Sequence, residues 1–172
     1  GLQALLHDRA AGGVVGVDMG IPAQVVRAAE CFDNQRFWGL PGAVRGAIFA
    51  SIPGTGPEGT DPWQLLEESA AIGDAGGVRM ARALYIRAAN SAGKAEKNPE
   101  LIAQAVVSQK AVSAPSDGVL LDAYATVMIR HFSDVIWMEG KGHRTPSGEL
   151  GTFWQEEVAD DGESDDLLDG LE

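Results

Sequence analysis

One cysteine, three histidines and 13 basic residues are all that 172 positions offer to the commonest kinds of site chemistry. The lone thiol, Cys31, excludes a disulfide framework and any four-cysteine zinc site, and it suits a reducing compartment. Long hydrophobic runs are missing too. The two most apolar stretches, residues 14–26 and 119–138, are broken by Asp18, Gln24, Asp122 and Arg130. Neither approaches the roughly 18 consecutive apolar residues that a bilayer span requires. With no leader-like pattern among the first residues, the expectation is a cytoplasmic protein, or one inside an intracellularly assembled particle, without membrane contact.

Positive charge is scarce and unevenly matched. Acidic residues number 25, which leaves a net charge of −12. Nine of those acids fall in residues 155–172, where there is no Lys or Arg, so residues 1–154 carry 16 acids against 13 bases, a balance of −3. The low isoelectric point therefore belongs mostly to the tail. Phosphate neutralisation by Lys and Arg supplies most nucleic-acid affinity, so a chain of this charge needs a segregated basic face to bind one. A near-neutral body leaves that open as an alternative.

What is present reads as one helical domain. Residues 2–9 have the pattern of one or two helical turns. Residues 12–20 are β-branched but glycine-broken, an extended segment or short strand at best. Pro22 opens a helix read over residues 22–37, with Val25, Ala29 and Phe32 on one face and a stop at Gly39 and Pro41. Pro41 starts another, ending before Pro53. Residues 52–59 hold three glycines and two prolines, which marks a loop and the best internal boundary.

Asp61-Pro62-Trp63-Gln64 reads as N-cap, first-turn proline and a glutamine placed to reach back as in a capping box. Residues 78–89 form a further helix carrying Met80, Ala81, Leu84 and Ala88. Asn98-Pro99 repeats the cap-plus-proline start, with Leu101, Ile102, Ala105 and Val106 as its apolar stripe. Ser116 or Asp117 opens the longest helix, to about Glu139, with Gly140 in the C-cap position. That helix has two apolar faces. Leu120, Tyr124, Val127, His131, Val135 and Met138 make one stripe, and Leu121, Met128, Phe132 and Ile136 make a second. An arc so wide predicts a central helix covered on several sides, or one covered partly by another chain. The fold expected is mainly α: a compact bundle of about six helices with glycine/proline-rich connections over residues 1–154, then an acidic, largely disordered tail at 155–172.

No catalytic constellation emerges from the motifs. His7-Asp8 resembles the metal-binding dipeptide of the HD phosphohydrolases, but that family's other ligands have no counterpart. Residues 15–20 look faintly like the first phosphate loop of sugar-kinase and actin-like ATPases, whose hydroxyl residue is replaced here by Ile21-Pro22. Cys31 sits in a helix with no cation arranged to activate it, so it reads as a buried or half-buried small hydrophobe. His131 and Asp134 form an i, i+3 pair, too few groups for a zinc site, and His131 lies on the apolar stripe at a packing or subunit boundary. Residues 161–172 place acids at several EF-hand positions but lack its turn glycine. No cofactor and no metal site are expected.

Two sets of candidate contacts remain. For protein partners, the exposed-looking aromatics Trp38, Trp63, Trp137, Phe153 and Trp154 suggest subunit anchors, and Leu167, Leu168 and Leu171 punctuate the acidic tail. Acidic-leucine termini of this kind dock into basic-rimmed apolar grooves, the acids steering and the leucines anchoring. For phosphate, the candidates are Arg79, Arg82 and Arg87 with Lys94 and Lys97, together with Lys141 and Arg144 in the glycine-rich segment 140–145. The sequence thus points to a non-enzymatic helical subunit of a larger assembly, a virion, secretion or effector-complex component, partnered by other protein subunits. The alternative is a small helical subunit of a nucleic-acid-binding effector complex.

Overall fold

The computed structural model describes residues 4, 5, 7, 8, 11–18 and 20–154. Among the described residues, six α-helices follow one another from residue 21 on: α1 (Ile21–Glu30), α2 (Leu40–Ser51), α3 (Pro62–Ala75), α4 (Met80–Ser91), α5 (Asn98–Ala111) and α6 (Val119–Lys141). A single 3-10 turn, Ala95–Lys97, leads into α5. Among the described residues there is no strand, and the glycine-rich residues after position 11 form turns and bends instead of an extended segment. Among the described residues no helix is long and apolar enough to cross a membrane.

The helix starts follow proline. α1, α2, α3 and α5 each carry one in their first two positions, where the missing N–H has no partner to lose. Asp61 caps α3, its carboxylate accepting the Trp63 N–H at 2.8 Å. Gln64 does not close a capping box; its amide donates to Glu68 at 2.9 Å. Asn98 is not a cap either. It already has helical dihedrals, is 1% exposed, and follows Lys97 as N-cap.

Two helix ends differ from the sequence expectation. α1 stops at Glu30 rather than near Phe37 because short polar side chains bond the backbone in competition with the helix. Asp33 Oδ1 accepts the Arg36 N–H at 2.7 Å, and Asn34 Oδ1 accepts the Gly42 N–H at 2.8 Å. Trp38 and Gly39, at φ 49° and 73°, then turn the chain into α2. The long helix runs past Gly140 to Lys141, with Gly142 in left-handed conformation as its C-cap. Gly140 serves a different purpose: a Cβ there would stand 1.8 Å from the Trp154 ring.

The centre of the bundle is α4, not α6. It packs against α2, α3, α5 and α6, and Met80, Ala81, Arg82, Ala83, Tyr85, Ile86, Ala88 and Ala89 are all buried. Its alanines let four neighbouring helices approach closely. Tyr85 lies 6.2 Å from Trp63 between ring centroids, and burial pushes its phenol above the usual range. α6 covers one flank of this core. It buries Asp122, Ala125, Ile129 and Ser133 fully, and half-buries Leu121, Met128, Phe132 and Ile136 against the core. The second of the two sequence stripes is therefore the one that packs inward.

Candidate functional site

The first stripe faces out. At 3.6 residues per turn, the line opposite Asp122, Ala125, Ile129 and Ser133 is occupied by Leu120, Tyr124, Val127, His131 and Met138. Leu120 is 83% exposed, Val127 65%, Tyr124 59% and Met138 51%. His131 is exposed among them. An amphipathic helix on a monomer places polar residues along its outermost line. Here that line is apolar over about 27 Å at 1.5 Å per residue. Toward the C-terminal half of α6 it widens into an open groove of about 640 Å³, with Val127, His131, Val135 and Met138 on its floor and Arg130, Asp134, Glu139 and Arg144 around it.

Asp134, one of the polar groups of this groove, is tied into the fold. Asp134 Oδ1 accepts the Thr145 N–H at 3.1 Å, and the Thr145 hydroxyl donates to Ser133 Oγ at 2.8 Å in a buried contact. These bonds pin the chain after α6 back onto the helix. The His131 ring stands edge-on to Phe132, centroids 5.4 Å apart. It makes no hydrogen bond to a carboxylate, so no base–orienter pair is formed among the described residues. No group of three or more His, Cys, Asp or Glu could hold a metal there either.

The aromatic anchors close the fold in place of reaching out of it. Trp137, Phe153 and Trp154 are half-buried. Trp137 meets Trp154 edge-on at 5.1 Å and stacks on His143 at 5.3 Å, while Lys141 lies over the Trp154 ring at 5.1 Å. Phe153 packs on the core, as do Trp38 and Trp63, and Lys94 covers the Trp63 ring at 4.4 Å. Trp137, Phe153 and Trp154, read from the sequence as partner anchors, thus make contacts within the chain and keep part of each ring exposed. Leu167, Leu168 and Leu171, with the acids on the EF-hand pattern, lie outside the described residues.

Two members of the phosphate track, Arg79 and Arg82, are corrected. Arg79 is 3% exposed and Arg82 4%. Arg79 gives Nε to Asp122 Oδ1 at 2.6 Å, a second guanidinium nitrogen to Asp122 Oδ2, and a third to the Val112 carbonyl at 2.8 Å. Arg82 donates twice to Asp74 Oδ2, at 2.8 and 2.6 Å, and once to Gln104 Oε1 at 2.5 Å. Buried charges need partners of this quality, and both guanidiniums are committed to them inside the fold. Arg87 is half-buried, and Lys97, Lys141 and Arg144 are exposed.

Other sequence candidates resolve as structure. Asp8 is 7% exposed, and its two carboxylate oxygens accept the Val15 and Val17 N–H groups at 2.7 and 2.8 Å. Those two bonds hold its carboxyl below the usual range and clip the glycine-rich turn. Cys31, expected to be buried or half-buried, is exposed at the end of α1, its thiol donating to the Arg27 carbonyl at 3.6 Å. A second groove between α1 and α2, about 300 Å³, is lined by Val25, Phe32, Phe37, Val44 and four other apolar residues. It holds no polar side chain that would orient a ligand. No protein-family model, no curated protein and no solved structure compared with the chain matches it.

Proposed function

We propose that the protein is a non-enzymatic helical subunit of a larger macromolecular assembly, and that the outer face of α6 is the surface it presents to other subunits. One observation carries this reading: Leu120, Tyr124, Val127 and Met138 are each more than half exposed along one line of one helix. Soluble monomers scatter their exposed apolar side chains singly, and contiguous apolar patches mark contact sites. The acidic tail supplies a second contact in this proposal, Leu167, Leu168 and Leu171 docking on a partner while the nine carboxylates of residues 155–172 steer it.

The nucleic-acid alternative has less support. Two of its seven arginine and lysine candidates, Arg79 and Arg82, are committed to Asp122 and Asp74, and the chain carries −12 overall. Photo-crosslinking of the full chain in its own cells tests the proposal. A photoreactive residue at position 124 should give discrete crosslinked protein species that the same residue at exposed Gln64, on α3, does not. Equal, diffuse crosslinking from both positions overturns it. Salt-dependent retention of nucleic acid on a filter would favour the alternative.

A further inference from the structure

The described chain ends against α6. Trp154, its last residue, lays its ring on Gly140 and Trp137 and beneath the Lys141 ammonium. Residues 155–172 therefore start beside the last turns of α6, next to the groove floored by Val127, Val135 and Met138. From Gly140 back to Leu120 the outer face runs about 30 Å at 1.5 Å per residue. Leu167 follows Trp154 by 13 positions. Fully extended, that length of chain spans about 43 Å. Coiled as a helix it spans about 20 Å, which ends level with Val127. A tail doubling back along α6 thus has the reach to set its leucines beside Leu120, Tyr124 and Val127.

Face and tail also match in order. The C-terminal part of the face is the charged part. Exposed Arg130, Lys141 and Arg144 stand there against Glu139 and Asp134, and Asp134 already accepts the Thr145 N–H. Among the described residues none of those three cations is in an ion pair. The N-terminal part, residues 119–129, holds one charged residue, Asp122, which is buried against Arg79. Its outer line is Leu120, Tyr124 and Val127. Running back from Trp154, the tail divides the same way: seven of its nine acids fall in residues 155–166, and its three leucines in residues 167–171. The acids pass the cations first, and the leucines arrive where the face is purely apolar.

We infer that, before assembly, residues 155–172 fold back antiparallel along α6 of their own chain, with Leu167, Leu168 and Leu171 on Leu120, Tyr124 and Val127. The inference rests on the proposal that the α6 face receives other subunits, and it adds when that face is open. A tethered segment acts at an effective concentration on the order of millimolar, so a contact too weak to join separate molecules still forms within one. A closed-to-open ratio on the order of 5 lowers the apparent affinity for an arriving subunit by the same order. It moves the melting temperature by a few degrees at most, which keeps the tail outside the folded core. Displacement by the arriving subunit releases the leucines as well, so the second contact becomes available once the first is made.

Photo-crosslinking of the purified full chain from an aromatic photoreactive residue at position 124 tests this. The expected product has monomer mass and joins α6 to peptides from residues 155–172, and the same residue at Gln64 gives none. The triple variant Leu167→Ser, Leu168→Ser, Leu171→Ser should reduce the product by on the order of fivefold. High salt should reduce it too, by screening the acids from Arg130, Lys141 and Arg144.

Products of dimer mass overturn the inference, because they make a second copy or its tail the occupant. Monomer-mass products without tail peptides overturn it as well, and so does a tail product that survives the triple variant. The assembly reading fails separately. A tail product from the purified chain, with no discrete partner species from position 124 in cells, removes the assembly reading and supports the fold-back. Discrete partner species in cells, with no tail product from the purified chain, remove the fold-back and leave the assembly reading standing.

Discussion

The Asp122 carboxylate, in the first turn of α6, closes on both the guanidinium and the backbone amide of Arg79, 43 positions earlier. One side chain therefore neutralises a buried cation and satisfies an orphan N–H at the start of α4. It also fixes the rotation of α6 about its axis, because Asp122 can reach Arg79 only when the line through Ala125, Ile129 and Ser133 faces inward. The outward position of Leu120 and Tyr124 follows from that clasp.

Removing one partner of the clasp should be far worse than replacing both. Asp122→Ala leaves the 3%-exposed Arg79 unpaired and should cost about 3–5 kcal/mol. The double replacement Arg79→Met, Asp122→Leu should recover much of that loss. Urea midpoints of the three proteins check it, and a double replacement as unstable as Asp122→Ala would show that shape rather than charge governs the contact.

Gly140 lies in the last turn of α6, where alanine is ordinarily the better helix former by up to about 1 kcal/mol. Here the added Cβ would stand 1.8 Å from Trp154 Cζ2 and 2.2 Å from Cη2. Gly140→Ala should destabilise the fold by about 1–3 kcal/mol as the indole is displaced. Combining it with Trp154→Leu should relieve the penalty. A thermal melt in which Gly140→Ala gains stability would mean that the indole packs elsewhere.

The Asp8 clip has a pH signature. Its carboxyl is held below the usual range by the Val17 and Val15 N–H bonds. A carboxyl depressed in the folded state contributes stability that is present above the unfolded value and is lost as pH falls through the folded one. Protection of the Val15 and Val17 amides, relative to their intrinsic exchange rates, should be high at neutral pH and fall on acidification below the ordinary aspartate range. Asp8→Ala should abolish the slow exchange at every pH. Protection that persists in that variant would assign the turn's order to something other than the carboxylate.

The core is closed by residues up to Phe153. Deleting residues 155–172 should accordingly leave the melting temperature of the body nearly unchanged. Ile129→Ala, at a site 3% exposed, should by contrast cost about 2–5 kcal/mol. A truncated chain that melts like Ile129→Ala would place the acidic tail in the fold.

The sequence was most readable at its punctuation. Pro22, Pro41, Pro62 and Pro99 each announced a helix, and Asp61 announced its own cap, because these effects act within one turn. It was least readable where distant groups decide. The fate of Arg79 depends on Asp122 and that of Arg82 on Asp74 and Gln104, so a basic cluster on paper became two interior ion pairs. Asp33 and Asn34 ended α1 early through side-chain bonds that the spacing of Val25, Ala29 and Phe32 does not register. The choice of central helix failed for a different reason. Leucine, methionine and phenylalanine gave α6 the larger apolar area, but alanine decides how near helices can come. For the candidate site, the stripe through Leu120 and Tyr124 was legible as apolar, and only the packed structure distinguishes it from its neighbour through Leu121 and Phe132.

Alanine at the centre has a bearing on how this protein can change over time. Ala81, Ala83 and Ala89 are wholly enclosed, and Ala88 nearly so, so even one added methylene there would push apart helices on several sides at once. Residues on the outer line of α6 touch little within their own chain and are free to vary with whatever they meet. Divergent descendants of this sequence should therefore keep a recognisable run of small residues along α4 while their α6 faces drift apart, and kinship among them would be traced more surely through the least conspicuous side chains than through the largest.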